Sequence, residues 1–176
     1  MKNNKIIICG FSGIGKTSAQ NHCDTEIKLR NSLNKYNDKE LETNKRIIDL
    51  ESSRWSRLYE DDIYIGKNPE FPNNYIDALM SMIVTDIGDI FLLSCHQEVR
   101  DELKARGLKY IIVLPYKDKE FKNEYKKRWL KRGSDIDFIT KMNEYWEEMI
   151  DSCVNDDAPK IYLDEHEYLS DILFNK

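Results

Sequence analysis

A glycine-rich segment near the start of the chain has the residue types and spacing of a phosphate-binding loop. It reads Gly10-Phe11-Ser12-Gly13-Ile14-Gly15-Lys16-Thr17 and matches G-x-x-x-x-G-K-[ST] at every fixed position. Glycine permits backbone conformations in which successive N–H groups point at one anion, and a helix after the loop would add positive potential at its N-terminus. The residues predicted to contact the phosphates are Gly10, Ser12, Gly13, Ile14, Gly15, Lys16, Thr17 and Ser18.

Lys16 and Thr17 carry the chemistry of this loop. The Lys16 ammonium group is expected to reach the β- and γ-phosphates of a nucleoside triphosphate, and the Thr17 hydroxyl is expected to ligate Mg²⁺. The alternative interpretation is a chance glycine turn between a strand and a helix. Because the apolar run Ile6-Ile7-Ile8-Cys9 precedes the loop and is typical of a buried strand, the sequence favours a site for ATP and Mg²⁺.

Two carboxylates follow a second short apolar segment. They lie in the run Asp49-Leu50-Glu51-Ser52-Ser53, and in enzymes with this kind of loop a carboxylate after a strand holds the metal. Asp49 is therefore predicted to be associated with Mg²⁺ or to take a proton from the acceptor, with Glu51 as the second candidate. Glu51 and Ser52 are also candidate substrate contacts. The alternative is that these residues cap the following turn or helix.

A basic segment over residues 117–132 holds eight basic residues and three acidic ones, in a chain whose net charge is −5. Arg128 and Arg132 are four residues apart and share one face of the predicted helix. The guanidinium group matches phosphate oxygens in shape and stays charged, so both arginines are predicted to act in phosphoryl transfer. Gly133 would act as a hinge. The lysines are interpreted as ordinary solvated charge.

Two further candidate substrate contacts, His96 and Arg100, follow the apolar run Ile90–Leu93. Each has an alternative interpretation that the sequence leaves open. A histidine near the start of a helix is as often a cap, and an arginine one turn into a helix is somewhat more often part of a surface ion pair.

The elements that would position these residues alternate between strands and helices. Such alternation is typical of an α/β fold with a parallel sheet and helices on both faces, in which ligands bind beyond the carboxyl ends of the strands. Residues 24–44 are predicted to be partly helical, and residues 51–72 are predicted to be irregular. The predicted strands are Ile6–Cys9, Arg46–Leu50, Ile90–Leu93, Tyr110–Leu114 and Ile161–Leu163, and the predicted helices are Lys16–Cys23, Tyr75–Val84, Gln97–Arg106, Lys117–Arg132, Ile136–Cys153 and a short one at the C-terminus.

The composition predicts one compact domain over residues 1–176, with 40% apolar residues available for a core. The net charge of −5 argues against a general nucleic-acid-binding protein. The four cysteines have no C-x-x-C spacing, so no zinc site or disulfide framework is expected, and a reducing cytosol is the predicted location. No signal peptide and no membrane span are expected.

On these residues the chain resembles small P-loop kinases of the nucleoside monophosphate kinase type, a group that also includes shikimate and gluconate kinases. It is particularly similar to phage and prophage members with the layout IIDLESS…FP..YI…LLSCHQEVR…YIIVLP…Y..R…RG. The resemblance covers most of the chain and implies a three-layer P-loop NTPase fold with a five-stranded sheet in the order 2-3-1-4-5. It also implies an acceptor-binding flap near residues 51–75 and a lid near residues 116–134 that bears phosphate-binding arginines. The aromatic residues of this flap are Trp55, Tyr59, Tyr64 and Phe71. Their rings could stack on a base, and packing in the core would explain them equally well.

The resemblance implies a cytoplasmic enzyme that moves the γ-phosphate of ATP to a small acceptor, most simply a (deoxy)nucleoside monophosphate. One alternative is a kinase that acts on a nucleic-acid end or a modified base in phage DNA, which the acidic charge of the chain disfavours. The other is a non-catalytic nucleotide-binding regulatory module. A switch GTPase is disfavoured because the sequence has no N-K-x-D-like segment after a later strand.

Overall fold

The structure is a computed structural model that describes residues 5–24 and 45–174, and it has a mixed α/β fold. Apart from residue 24, the segment 24–44 that the sequence predicts to be partly helical lies outside the described residues. The strands are β1 (Ile6–Gly10), β2 (Ile47–Asp49), β3 (Arg57–Glu60), β4 (Ile63–Lys67), β5 (Ile90–Ser94), β6 (Ile111–Pro115) and β7 (Lys160–Leu163). The helices are α1 (16–24), α2 (Ser53–Ser56), α3 (Asn73–Val84), α4 (Gln97–Ala105), α5 (Lys119–Lys131), α6 (Ile136–Glu144), α7 (Trp146–Val154) and α8 (Leu169–Phe174).

Five of these strands form one parallel sheet in the order β2-β5-β1-β6-β7, flanked by helices. Strand β1 is central, and its Ile8 pairs with Leu92 of β5 and with Ile111 of β6. The order reads differently from the predicted 2-3-1-4-5 because the β3–β4 hairpin, which the prediction lacks, is counted between β2 and β5. Since the five strands are parallel, the segments that follow them meet at one edge of the sheet.

The apolar runs that predict the strands form the centre of the core. Ile8, Leu92 and Val113, on the three middle strands, are at most 4% exposed. Runs of β-branched and aliphatic residues suit strands that are covered on both faces. The tryptophans of the helices after β6 belong to the same core, because Trp129 and Trp146 are fully buried.

The segment after β2 is more regular than the sequence predicts. Strands β3 and β4 form an antiparallel hairpin whose turn residues, Asp61 and Asp62, have φ angles of 47° and 65°. Positive φ at both turn positions is typical of a two-residue hairpin turn, because it matches the twist of the strands. The hairpin escaped prediction because Ile63, Tyr64 and Ile65 are consecutive and all more than half exposed, so the alternation that marks a half-buried strand is missing.

The helices agree with the prediction in place and differ in detail. The predicted helix over residues 136–153 is interrupted at Tyr145 and forms α6 and α7. The basic helix predicted over residues 117–132 is α5, and the predicted C-terminal helix is α8. In the part of the chain that the structure describes, no helix is long and apolar enough to cross a membrane.

Candidate functional site

The glycine-rich loop connects β1 to α1 and is shaped by close contacts at its glycines. Gly13 and Gly15 have φ angles of +94° and +87°, which other residues rarely adopt. A Cβ atom at Gly13 would lie 2.9 Å from Nε1 of Trp129, and one at Gly15 would lie 3.1 Å from Cδ1 of Tyr168. Both positions therefore require glycine, for their backbone angles and for the approach of their neighbours.

Lys16 folds back over this loop. Its ammonium group donates hydrogen bonds to the backbone carbonyls of Gly10 at 3.0 Å and Phe11 at 3.3 Å. The loop is also held by α8, because the Leu169 N–H donates to the carbonyl of Ile14 at 2.8 Å. Ile14 itself is fully buried, so only its backbone is available to a ligand. Among the described residues Lys16 has no carboxylate partner, which leaves its charge available to an anion.

Thr17 and Asp49 are brought together from α1 and β2. The Thr17 hydroxyl donates a hydrogen bond to Oδ2 of Asp49 at 2.7 Å, and the Asp49 N–H donates to the side chain of Gln20. Oδ1 of Asp49 is buried and has no hydrogen-bond partner within the described residues. Burial raises the pKa of the Asp49 carboxyl group, while the hydrogen bond from Thr17 acts in the opposite direction. This carboxylate is therefore short of partners, which suits a cation site.

Thr17 and Asp49 offer the oxygen ligands that Mg²⁺ prefers. In residues 5–24 and 45–174 there is no group of three or more His, Cys, Asp or Glu side chains that could hold a metal ion. A Mg²⁺ ion here would therefore be completed by phosphate oxygens and water, as is usual for this ion. The two side chains and the unpaired Oδ1 fit that arrangement.

A cavity of about 580 Å³ lies beside the glycine-rich loop, and we call it the loop cavity. The loop and the first turn of α1 form one wall, and residues at the end of α5 form another. The N-terminus of α1 and the basic side chains of this second wall give the cavity a positive potential. Of the residues predicted to contact phosphates, those that line it are Gly13, Gly15, Lys16, Thr17 and Ser18.

A second cavity, of about 350 Å³, lies at the carboxyl ends of β1, β2 and β5, and we call it the strand-end cavity. The predicted substrate contacts Glu51, Ser52 and His96 line it. Lys16, Glu51 and Arg132 line both cavities. The two cavities therefore meet at two cations and one carboxylate.

The remaining loop residues, Gly10 and Ser12, line the strand-end cavity instead of the loop cavity. A Cβ atom at Gly10 would lie 2.6 Å from Cδ1 of Ile14, so a larger residue here would displace the side chain of Ile14. Ser12 contacts the end of the basic helix, because its hydroxyl accepts a hydrogen bond from Arg132 at 3.2 Å. These two residues thus belong to the boundary between the cavities.

Arg128 lines the loop cavity, but most of its guanidinium group is engaged within the protein. It is 7% exposed and donates hydrogen bonds to the carbonyls of Glu165 at 2.6 Å and Glu167 at 3.1 Å. Its Cζ atom lies 4.1 Å from the ring centroid of Tyr168 and 4.6 Å from that of Tyr125. Arg128 therefore holds the segment after β7 against α5, and its contact with phosphate stays a prediction.

Arg132 joins the end of α5 to the glycine-rich loop. Besides its bond to Ser12, it donates from Nε to the hydroxyl of Ser134 at 2.6 Å. Its guanidinium group lies 5.3 Å from the ring centroid of Phe138. Burial lowers the pKa of Arg132, and the nearby charge of Glu51 acts in the opposite direction. Arg132 and Glu51 therefore interact electrostatically at the junction of the cavities.

The segment predicted to be a lid is packed into the core through α5. Trp129 is fully buried, and its indole N–H donates to the carbonyl of Ser12 at 3.2 Å. Tyr125 is fully buried as well. Gly133 has a φ angle of +73° and its N–H donates to the carbonyl of Leu130 at 3.0 Å, so it ends the helix as a glycine cap. Opening this segment would break all of these contacts.

No protein-family model matches the chain, and no similar sequence is found among curated proteins. The resemblance to P-loop kinases therefore stays a prediction from the residues. The functional interpretation therefore depends on Lys16, Glu51 and Arg132, which line both cavities.

Arg100 is a correction to the predicted site, because the structure does not bring it to either cavity. It is 2% exposed and forms a buried ion pair with Asp156. It also donates to the carbonyls of Cys95 and Ser152, both at 3.0 Å. Its donors are used inside the protein, so Arg100 has a structural role in place of the predicted contact with substrate. The ion pair is buried, in contrast to the surface pair considered as the alternative.

Three of the side chains that line the cavities and that sequence reasoning missed are polar or charged groups of functional interest. Tyr168 lines the loop cavity, and Arg57 and Lys141 line the strand-end cavity. Tyr168 could have been found, because it follows β7 and the carboxyl ends of parallel strands share one edge. Arg57 belongs to the hairpin that was not predicted. Lys141 has no local signal, since only the packing of α6 brings it to the cavity.

Proposed function

We propose that this protein is a P-loop kinase that transfers the γ-phosphate of ATP to a small acceptor, most simply a (deoxy)nucleoside monophosphate. The observation that carries the proposal is that Lys16, Glu51 and Arg132 line both the loop cavity and the strand-end cavity. Phosphoryl transfer needs a donor site and an acceptor site that meet at a charged junction, because catalysis is mostly positioning and charge stabilisation. A module that only binds one nucleotide has no need of the second cavity.

The proposal also includes a fold family and a cellular location. The sheet would be that of a P-loop NTPase, whose order 2-3-1-4-5 is obtained here if the hairpin strands β3 and β4 are left out of the count. The hairpin would then belong to the acceptor-binding flap, and α5 would take the place of the lid with its contacts to the core intact. The enzyme would be of the phage-like type and would work in the cytosol.

The loop cavity would hold the triphosphate of ATP. Lys16 would exchange its bonds to the carbonyls of Gly10 and Phe11 for bonds to phosphate oxygens, which are stronger because both partners are charged. Thr17 and Asp49 would hold Mg²⁺, which neutralises charge on the β- and γ-phosphates when bound. The N–H groups in the first turn of α1 would add to the binding of the phosphates.

The transfer step would take place at the junction of the cavities. An acceptor oxygen forms a bond to the γ-phosphorus while the bond from this phosphorus to the β–γ bridging oxygen breaks, and ADP leaves. Lys16 and Arg132 provide fixed positive charge where negative charge grows. Any proton on the acceptor oxygen would pass to Glu51, because Asp49 is engaged with Thr17. The two candidate carboxylates thus receive different roles.

The charges of the strand-end cavity favour an anionic acceptor. Among the described residues that line it, four are cationic, namely Lys16, Arg57, Arg132 and Lys141, and one, Glu51, is a carboxylate. Lys16 and Arg132 would be used by the donor phosphates at the junction. Arg57 and Lys141 would then be available to the phosphate of the acceptor, which supports a nucleoside monophosphate over a neutral alcohol.

The proposal is tested by release of ADP from ATP and Mg²⁺ in the presence of different acceptors. The panel contains the four deoxynucleoside monophosphates, the four deoxynucleosides and a short DNA with a 5′-hydroxyl end. We expect a nucleoside monophosphate to stimulate ADP release, and we expect the Lys16→Ala variant to show no stimulation. ATP turnover that no acceptor stimulates would contradict the kinase proposal and favour a nucleotide-binding module.

A further inference from the structure

The strand-end cavity continues into a further cavity of about 320 Å³, which we call the distal cavity. Its walls come from the start of α4 and from α6 and α7. Five residues line both cavities, so the two form one continuous recess that begins at the junction with the loop cavity. These residues are Cys95, His96, Lys141, Met142 and Met149.

The distal cavity combines an apolar interior with polar edges. Met142 is 8% exposed and lines the cavity together with Met149, and thioether groups pack well against aromatic rings. The polar groups come from the amide of Gln97, the carboxylate of Glu148 and the hydroxyl of Ser152. A flat ring with apolar faces and hydrogen-bonding edges matches this combination. The volume is at the lower end of the range of about 300 to 1,000 Å³ for small-molecule sites.

The aromatic residues of the predicted flap are less suited to hold such a ring. Trp55 and Phe71 pack against the fully buried Tyr75, with ring centroids 5.3 Å and 5.7 Å from its own. Tyr59 and Tyr64 contact each other on the exposed hairpin, with centroids 6.0 Å apart. Core packing and mutual contact therefore account for these four rings. The distal cavity, by contrast, is open space next to the strand-end cavity.

We propose that the distal cavity holds the nucleobase of the acceptor, while the acceptor's phosphate lies in the strand-end cavity. The proposal rests on the proposed function and goes beyond it, because it assigns the choice of base to α6 and α7. Lys141 would lie at the boundary between phosphate and base. Glu148 accepts hydrogen bonds from ring N–H or amino groups, and Gln97 both donates and accepts. These two side chains would select a base by its pattern of donors and acceptors.

The first test measures binding of the nucleotide in the absence of turnover. The method is NMR of protein labelled with ¹³C at the methionine methyl groups. Met142 and Met149 report on the distal cavity, and Met80 and Met82, on α3, serve as internal controls. Each deoxynucleoside monophosphate is added in the absence of ATP, and ribose 5-phosphate is added as a probe that lacks a base. We expect the signals of Met142 and Met149 to shift with at least one nucleotide and to shift much less with ribose 5-phosphate. The signals of Met80 and Met82 should stay in place.

The second test uses kinetics of variants at Glu148 and Gln97, two exposed residues of the distal cavity, with the fold of each variant checked by circular dichroism. Glu148→Gln and Gln97→Leu are expected to raise the KM of the preferred nucleotide at least about 10-fold, the effect of losing one hydrogen bond to a charged or polar group. The KM of ATP should not change. Glu147→Gln is the matched control, because Glu147 precedes Glu148 on α7 and is not part of the lining of the distal cavity in the described residues. The order of preference among the four bases should change in the two test variants alone.

The outcomes separate the two proposals. The base site would be overturned, and the kinase proposal kept, if ADP release depended on the acceptor but the NMR signals of Met142 and Met149 did not shift. In that case the KM of the nucleotide in Glu148→Gln and in Gln97→Leu would also equal that in Glu147→Gln. Stimulation by ribose 5-phosphate as strong as by any nucleotide would also overturn the base site. Failure of the kinase proposal would show instead as ADP release that no acceptor stimulates, and the NMR titration would still decide whether a nucleotide binds in the distal cavity.

Discussion

The hydroxyl of Thr17 donates a hydrogen bond of 2.7 Å to Oδ2 of Asp49, and this bond ties the first turn of α1 to the end of β2. The other carboxylate oxygen, Oδ1, is buried with no partner among the described residues. The oxygen atoms of Thr17 and Asp49 are therefore suited to ligate a cation next to the glycine-rich loop. Under the proposed function, this pair would hold Mg²⁺ beside the phosphates of ATP.

Replacing Asp49 by asparagine should lower the rate of transfer about 10²-fold, the scale for loss of one electrostatic stabiliser, and raise the KM of ATP much less. The concentration of Mg²⁺ needed for half-maximal activity should also rise. The measurement is steady-state ADP release over a Mg²⁺ titration. Glu51→Gln is the comparison, and its loss of rate should leave the Mg²⁺ requirement unchanged. Unaltered activity and Mg²⁺ dependence in Asp49→Asn would make Asp49 a cap and transfer its role to Glu51.

The same substitution should stabilise the protein in the absence of ligands. Burial raises the pKa of Asp49 above its ordinary value of 3.8, so the folded state binds more protons than the unfolded state just above that pH. Stability contributed by this group therefore falls as pH rises through its folded pKa. Asparagine removes the charge, and the Tm of Asp49→Asn without Mg²⁺ should exceed that of the unmodified protein at pH 7. The difference should disappear below pH 3.8. A lower Tm at pH 7 would contradict this account.

Lys16→Ala should abolish detectable transfer, a loss of more than roughly 10²- to 10³-fold, without unfolding the protein. Lys16 contacts the carbonyls of Gly10 and Phe11, and its loss leaves two carbonyls that border a cavity and can bond to water. Activity is followed by ADP release and the fold by circular dichroism. Lys127→Ala is the control, because Lys127 is an exposed residue of α5. Full turnover in a folded Lys16→Ala variant would refute the nucleotide site.

Arg132→Ala and Arg128→Ala should differ in their effects on stability. Each is expected to lower kcat about 10²-fold. Arg128→Ala should also lower the Tm, because it leaves the carbonyls of Glu165 and Glu167 without their donor, at about 1 to 3 kcal/mol for each group that stays buried. Arg132 bonds to two serine hydroxyls near the surface, so its loss should leave the Tm nearly unchanged.

The double variant provides the check on this pair. Both arginines would act on one cluster of phosphate charge, so the loss in kcat should be smaller than the product of the two single losses. Unchanged kcat in both single variants would remove α5 from the catalytic site. Equal losses of Tm would contradict the different roles that the contacts of Arg128 and Arg132 indicate.

The buried ion pair of Arg100 and Asp156 predicts an acid-sensitive core. Burial alone would raise the pKa of Asp156, but hydrogen bonds from Ala158, Arg100 and Lys104 outweigh it and lower the pKa to about 2. A carboxylate whose pKa is lowered in the folded state stabilises the fold at pH values above its pKa in the unfolded state, which is 3.8. This contribution is lost as the pH falls towards 2. Asp156→Asn should cost about 3 to 5 kcal/mol at pH 7, because it leaves a buried guanidinium group without its counter-charge.

Urea unfolding at pH 7 and at pH 3 measures this effect. The difference between Asp156→Asn and the unmodified protein should be smaller at pH 3 than at pH 7. Asp157→Asn is the control, because the Asp157 side chain is 85% exposed and pairs only with Lys104 among the described residues. If Asp157→Asn lowered the free energy of unfolding as much as Asp156→Asn, loss of negative charge, and not loss of the buried ion pair, would explain the destabilisation.

The sequence by itself determined the elements whose signals are local. The glycine-rich loop is recognisable because its backbone angles and its close packing require glycine at Gly13 and Gly15, which leaves a fixed spacing in the sequence. The five strands of the sheet are recognisable because strands covered on both faces need continuous apolar runs. The place of Lys16, Thr17 and Asp49 follows, since each lies within a few residues of such a strand.

Only the tertiary structure decided what the remaining charged residues do. Arg100 and Arg132 were both predicted to lie on helices, yet Arg100 contacts Asp156, 56 residues further along the chain, and Arg132 contacts the glycine-rich loop, 120 residues before it. The distal cavity likewise exists only where α6 and α7 pack beside the start of α4. The partner of a charged side chain, and the space between helices, depend on contacts between distant segments, and local residue patterns carry no record of them.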